Sequence, residues 1–189
     1  MIMILKKFKL KPNYLKMKNY LFLLFAFTLT FPSFAQEEKI DETVETSTFY
    51  FIRHAEKDRS DKTNKDPHLV QAGLMRSIKW SYALANVKFD AIYSTDYNRT
   101  RETALPTAEK NGLELSIYDP KAIDGKAFIE ANKGKTVLVV GHSNTTPTFV
   151  NAVLGKEKYA QIDDNNNANL YIVTITGSGE ITDVLVVVD

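Results

Sequence analysis

The stretch that decides the fold is TVLVVGHSN, residues 136–144. Four aliphatic side chains and no charge among its first five residues predict a strand buried on both faces. Gly141 then permits a sharp turn, and residues 145–154 are predicted to form a helix that ends at Gly155. A buried strand that runs directly into a helix indicates an α/β fold.

The same alternation extends over the chain from residue 48 onward. Strands are predicted at 48–52, 89–93, 113–118 and 136–140, and helices at 71–87, 97–110, 124–132 and 145–154. The first helix has its apolar face at Leu74, Ile78, Tyr82 and Ala85. Residues 170–176 and 181–188, joined by Gly-Ser-Gly, predict a hairpin. We therefore expect an α/β three-layer sandwich with a mainly parallel sheet and a C-terminal antiparallel hairpin.

The N-terminal part of the chain is predicted to be a targeting signal. Residues 1–35 carry six lysines and no acid, followed by an apolar run at 20–31 and the end Ser33-Phe34-Ala35. This pattern predicts a signal peptide over residues 1–35 that starts at Met1 or Met17, with an uncleaved membrane anchor as the alternative. The domain is then exported, periplasmic or secreted, with no stable membrane contact after cleavage. Residues 36–47 are predicted to be a flexible acidic lead-in to a domain over 48–189.

Composition excludes several classes of function. Outside residues 1–35 the chain has 18 basic and 23 acidic residues, an excess of five acids, so a general nucleic-acid-binding surface is not expected. The chain has no cysteine, which excludes thiolate metal sites and cysteine nucleophiles.

Histidines and arginines follow three of the predicted strands. Arg53 and His54 follow the first strand, Arg99 lies in the first turn of the helix after the second, and His142 follows Gly141. The carboxyl ends of parallel strands meet at one edge of a sheet, so these side chains are expected to converge. A neutral imidazole is a good nucleophile towards phosphorus, and a guanidinium can donate two hydrogen bonds to a phosphoryl group. The pattern therefore predicts phosphoryl transfer without a metal or other cofactor.

Four segments together resemble the histidine phosphatase (phosphoglycerate-mutase-like) superfamily. They are Arg-His-Ala-Glu-Lys at 53–57, the segment 69–76 with its Gly and Arg, the Ser-to-Thr-Ala segment within 93–104, and Gly-His-Ser at 141–143. The resemblance implies that His54 is phosphorylated and that Arg53, Arg99 and His142 hold the phosphoryl oxygens. Water would then hydrolyse the phosphohistidine.

The general acid has no clear motif. Asp119 is the candidate because it follows the strand at 113–118, although Asp-Pro is also an ordinary turn, and Glu56 is the second choice. Little chain is available for a cap over the site, which favours small phosphate esters or a phosphoprotein as substrate.

Two alternatives remain open from the sequence. The first is a non-catalytic module that binds a phosphate ligand on the same fold, because no acid is fixed. The second is a metallohydrolase that uses His54, His68 and His142. The fixed positive charge of Arg53 beside His54 opposes a metal site there, and no His-x-x-x-His spacing is present.

Overall fold

The computed structural model describes residues 45–188. Six strands form one sheet in the order β3-β2-β4-β1-β5-β6. They are β1 (Ser47–Arg53), β2 (Ala91–Ser94), β3 (Leu115–Ile117), β4 (Thr136–Gly141), β5 (Asn169–Ile175) and β6 (Ile181–Val187). Strands β1 to β4 are parallel, whereas β5 runs antiparallel to β1 and β6 antiparallel to β5. The predicted fold class and the C-terminal hairpin are therefore confirmed.

Four helices alternate with the parallel strands. They are α1 (Gln71–Ala83), α2 (Asn98–Asn111), α3 (Gly125–Ala131) and α4 (Thr145–Leu154). Gly112 and Gly155 follow α2 and α4 with φ of 66° and 67°, the left-handed conformation that ends a helix. Asp124 caps α3 by accepting the backbone N–H groups of Lys126 and Ala127. None of the helices in residues 45–188 has the length and apolar character needed to cross a bilayer.

Two hydrophobic clusters cover the two faces of the sheet. Phe49 and Phe51 of β1 pack with Phe149 of α4 on one face. Ile52 packs with Trp80 of α1 on the other face. Because successive side chains of a strand point to opposite faces, one apolar strand contributes to both layers of the core.

The apolar face predicted for the first helix is wrong. Leu74 and Ile78 are each 41% exposed, and Tyr82 is 71% exposed. The helix instead buries Gly73, Ser77, Trp80 and Ser81 and ends at Ala83. A Cβ at Gly73 would lie 2.2 Å from the carbonyl oxygen of Glu56, so the helix crosses the segment after β1 at backbone contact distance. No side chain larger than that of glycine fits at position 73, whereas Trp80 on the same side of the helix packs in the core.

Other boundaries differ by a few residues. Strand β3 covers three residues rather than six, and α1 is four residues shorter than predicted. Ser47, assigned to the lead-in from the sequence, is the buried first residue of β1, and its hydroxyl oxygen accepts the N–H of Gly134. The predicted signal peptide and all but the last residues of the lead-in lie outside the described residues.

Candidate active site

Four of the five predicted site residues line one cavity at the carboxyl edge of the parallel strands. The cavity has a volume of about 340 Å³ and is lined by Arg53 and His54 from the end of β1, by Arg99 from α2, and by His142 after β4. Its other lining residues are Lys57, Tyr97, Pro120, Lys121, Ser143, Asn144, Thr145 and Asp164. The parallel order of β2, β4 and β1 brings the three strand ends side by side.

His54 is held in one orientation by short polar contacts. Its Nδ1 lies 2.7 Å from the carbonyl oxygen of Ala55, a contact that requires the proton on Nδ1 and leaves the lone pair on Nε2. The side-chain amide of Asn167 donates to the carbonyl oxygen of His54 at 2.7 Å. Burial lowers the pKa of His54 to about 3, with a smaller contribution from Arg53, while the Ala55 contact acts in the opposite direction. At neutral pH the ring is therefore uncharged, with a free lone pair on Nε2.

His142 faces His54 across the cavity. The ring centroids are 5.6 Å apart with an interplanar angle of 66°, and His142 Nε2 lies 3.0 Å from the hydroxyl of Thr95. Burial, with Arg99 and Lys57, lowers the pKa of His142 to about 4. Both imidazoles are thus neutral at pH 7, and the positive charge of the site comes from arginine and lysine.

The guanidinium of Arg53 is fixed by the loop that precedes β5. Its Nη1 donates to the carbonyl oxygens of Asp163 at 2.7 Å and Asn166 at 2.9 Å, and its Nη2 pairs with the carboxylate of Asp164 at 3.2 Å. Only 2% of the residue is exposed, and its Nε has no partner among the residues that the structure describes. The Nε–H of Arg53 is therefore buried and makes no hydrogen bond to the described residues.

Arg99 is held differently, at the start of α2. Its guanidinium lies 4.4 Å from the ring centroid of Tyr97 and 3.6 Å from a carboxylate oxygen of Asp66. The residue is 8% exposed, and in residues 45–188 its Nε also lacks a partner. An oxyanion bound in the cavity would give a buried guanidinium the acceptor that it lacks.

The turn between β4 and α4 adds backbone donors to the site. A Cβ at Gly141 would lie 2.8 Å from the hydroxyls of Thr146 and Tyr118, so only glycine allows this close approach. Ser143, Asn144 and Thr145, at the amino end of α4, line the cavity. The amino end of a helix presents free N–H groups and a partial positive charge to an anion.

Asp119, the candidate acid, does not line the cavity that contains His54. Its carboxylate accepts the N–H of Lys121 and borders an adjoining cavity, which shares Tyr97, Pro120 and Lys121 with the first. Glu56, the second choice, accepts from Arg76 at 2.7 Å. Asp164 is the one carboxylate among the residues that line the 340 Å³ cavity, whereas Glu56 and Asp164 both line a smaller cavity of about 150 Å³ that His54 also borders.

The third histidine lies apart from the other two. His68 is paired with Glu102, and that bond raises its pKa. Among residues 45–188 no three histidine, aspartate or glutamate side chains are grouped so that they could hold a metal ion.

Two further parts of the site, the loop 163–167 and Lys57, were not predicted from the sequence. The loop is polar and carries no motif, yet it contacts both Arg53 and the backbone of His54. A loop that precedes an antiparallel strand beside β1 must lie at the carboxyl edge of the parallel strands. This placement depends on the pairing of β5 with β1, which could not be predicted from the chain.

Part of the chain matches a known protein family. Residues 49–120 match the model of the histidine phosphatase superfamily (branch 1). No curated protein matches the chain. The family match confirms the resemblance over the segment that contains three of the four motifs, at 53–57, 69–76 and 93–104, whereas Gly-His-Ser at 141–143 lies outside it.

Several solved structures share the fold at low sequence identity. A phosphohistidine phosphatase SixA from Agrobacterium tumefaciens is 16% identical, with a TM-score of 0.54 over 74% of this chain and 97% of the other. A protein histidine phosphatase SixA complexed with tungstate is 15% identical, with a TM-score of 0.58 over 74% and 96%. A phosphoglycerate mutase from Bacillus anthracis is 18% identical, with a TM-score of 0.57 over 76% and 94%. At these identities the likeness establishes the fold.

Proposed function

We propose that the protein is a phosphohydrolase that acts through a phosphohistidine at Nε2 of His54. The observation that carries this proposal is the convergence of a neutral, oriented imidazole with Arg53, Arg99 and His142 in one cavity. A nucleophile and fixed donors around one anion are the requirements of phosphoryl transfer. The phosphatases among the structural neighbours support the same class of reaction.

The reaction has two displacement steps. In the first, the lone pair of His54 Nε2 attacks phosphorus while the bond from phosphorus to the leaving oxygen breaks, and that oxygen takes up a proton. In the second, water attacks the phosphohistidine, the N–P bond breaks, inorganic phosphate leaves and the water proton is released. Arg53 and Arg99 neutralise the charge on the non-bridging oxygens in both steps, and the neutral His142 donates a hydrogen bond to one of them.

Asp119 remains the proposed acid for the leaving oxygen. Its carboxylate borders the adjoining cavity, so a substrate would have to extend past Tyr97 and Pro120 to reach it. If Asp119 protonates the leaving oxygen, Asp119→Asn slows esters of poor leaving groups more than aryl esters. Equal slowing of both ester types removes Asp119 from this role.

The test of the proposed function is hydrolysis of p-nitrophenyl phosphate by the purified protein in the presence of EDTA. Metal-independent catalysis predicts full activity in the chelator and loss of activity in His54→Ala. His68→Ala is the matched control because His68 lies outside the cavity. Activity that EDTA abolishes would favour the metallohydrolase. Tight phosphate binding without turnover would favour the binding module. One observation supports that alternative: the cavity carboxylate, Asp164, is paired with Arg53 and so is not free to act as an acid.

We also propose export of the protein, from the sequence of residues 1–35. N-terminal sequencing of the mature protein tests this, since cleavage by signal peptidase gives Gln36 as the first residue. A mature chain that begins at Met1 or Met17 would reject cleavage.

A further inference from the structure

The cavity carries more positive charge than one phosphoryl group needs. Its lining residues include the cations Arg53, Lys57, Arg99 and Lys121 and the single carboxylate of Asp164, a net charge of +3. Two charged residues outside the lining also contact it: Arg59 pairs with Asp164, and Asp66 pairs with Arg99. Their opposite charges cancel and leave the net charge unchanged. A phosphate monoester dianion would leave an excess of about one positive charge.

The excess resides in the two lysines. Among residues 45–188, every arginine of the cavity has a carboxylate partner, whereas no ion pair includes Lys57 or Lys121. The domain as a whole has more acidic than basic residues, so this local excess does not reflect a generally basic surface.

Lys57 has a fixed position beside the phosphoryl site. The Val70 N–H donates to the carbonyl oxygen of Glu56 at 3.0 Å, and the Asp58 N–H donates to that of His68 at 2.9 Å, so the backbone on both sides of Lys57 is bonded. Burial and the nearby Arg99 lower the pKa of Lys57, which means that its surroundings oppose its charge. A bound anion would remove that opposition.

The two lysines border different sides of the cavity. Lys57 also lines a smaller cavity with Arg59 and Asp164, whereas Lys121 lines the adjoining cavity with Asp119. A group held between Lys57 and Lys121 would therefore lie in the cavity that His54 lines, next to a phosphoryl group on His54. The volume of about 340 Å³ lies at the small end of ligand pockets, which hold about 300–1,000 Å³.

We propose that the substrate is a small phosphate monoester with a second anionic group, and that Lys57 and Lys121 bind that second group. The inference rests on the proposed phosphohydrolase function and adds to it the charge of the leaving group. The second group is a carboxylate or a second phosphoryl group, because both present anionic oxygens to an ammonium.

The test compares substrates that differ only in the second group. Phosphoglycolate is compared with its neutral amide, and ethane-1,2-diol bisphosphate with 2-hydroxyethyl phosphate. The readout is the ratio of kcat/KM within each pair. We expect the charged member to be preferred by about tenfold, which corresponds to about 1.4 kcal/mol. The pair with the larger ratio identifies the second group.

Lysine variants locate the source of the preference. Lys57→Met and Lys121→Met should each lower the ratio severalfold. Lys88→Met is the matched control, because it removes the same charge from an exposed lysine three residues before β2, at the edge of the sheet opposite the cavity, and should leave the ratio unchanged.

Several outcomes overturn the inference. A wild-type ratio near one does so, as does a ratio that both lysine variants leave intact. Faster turnover of a phosphopeptide than of either charged small ester would also do so. These outcomes can be told apart from failure of the proposed function, in which the wild-type protein would hydrolyse no ester, p-nitrophenyl phosphate included.

Discussion

Asn167 offers the sharpest test of how the nucleophile is positioned. Its side chain is 8% exposed and donates at 2.7 Å to the carbonyl oxygen of His54, 113 residues away along the chain. Asn167→Leu preserves the approximate size of the side chain and removes the donor. The carbonyl of His54 then loses its bond to Asn167 at a buried position.

The size of the effect follows from that lost bond. A buried acceptor left without a partner costs about 1–3 kcal/mol of unfolding free energy. At roughly 3 °C per kcal/mol for a domain of this size, we expect the melting temperature to fall by about 3–9 °C. A shift of His54 by up to about 1 Å would also lower kcat for p-nitrophenyl phosphate by roughly ten- to hundredfold.

The matched control is Asn165→Leu, two positions earlier in the same loop. Asn165 is exposed, and its backbone N–H rather than its side chain bonds to Asp163. The assays are thermal unfolding and steady-state hydrolysis with both variants side by side. If Asn165→Leu and Asn167→Leu give the same melting temperature and the same kcat, the loop does not position His54 and the reasoning fails.

Three further predictions concern packing, charge and protonation. Gly73→Ala places a Cβ against backbone and should lower the unfolding free energy in urea by about 3 kcal/mol or more, near the upper end for overpacking. Asp164→Asn removes the carboxylate that lines the cavity and should strengthen inhibition by inorganic phosphate roughly one-and-a-half- to fivefold at low salt, which corresponds to about 0.2–1 kcal/mol for a carboxylate that is itself 64% exposed. His54 should remain neutral at pH 5 in an NMR titration, whereas His68 should be protonated there. Since the unfolded chain binds the His54 proton near pH 6.5 and the folded chain near 3, stability should fall as the pH drops through that window.

Each of these predictions has a simple control. Leu74→Ala, on the exposed side of the same helix, should change the unfolding free energy far less than Gly73→Ala. Asp163→Asn leaves the cavity lining intact and should alter phosphate inhibition less, because the charge of Asp163 acts on Arg53 more weakly than that of Asp164. A His54 signal that titrates together with that of His68 would contradict the burial argument.

The strands and the converging residues could be predicted because they depend on local patterns. An uncharged aliphatic run such as 136–140 has one stable location, the middle of the sheet. The carboxyl ends of parallel strands share an edge, so the meeting of His54 with His142 followed from strand direction alone. Neither inference required knowledge of side-chain packing.

The buried face of α1 could not be read from hydrophobicity. Periodicity assigns apolar residues to the core, but the core side of this helix is set by the backbone of Glu56, which leaves no room for a Cβ at Gly73. The buried face carries Gly73, Ser77 and Ser81 beside Trp80, and Ile78 and Tyr82 are left exposed. Steric exclusion by a segment distant in sequence outweighs the hydrophobic pattern here.

The direction of β5 explains why a polar loop became part of the site. If β5 ran parallel to β1, the residues that precede it would lie at the opposite edge of the sheet, far from His54. Because β5 is antiparallel to β1, its first residues lie beside the last residues of β1, and Leu170 is in register with Ile52. The loop 163–167 therefore meets Arg53 as that strand ends, and its carbonyl oxygens can accept from a guanidinium without adding charge. Arg53 is thus oriented largely by backbone acceptors, so most of its positive charge remains available to an anion. Asp164 is the one side chain among these partners of Arg53, so a substitution there changes the charge and leaves the backbone acceptors in place.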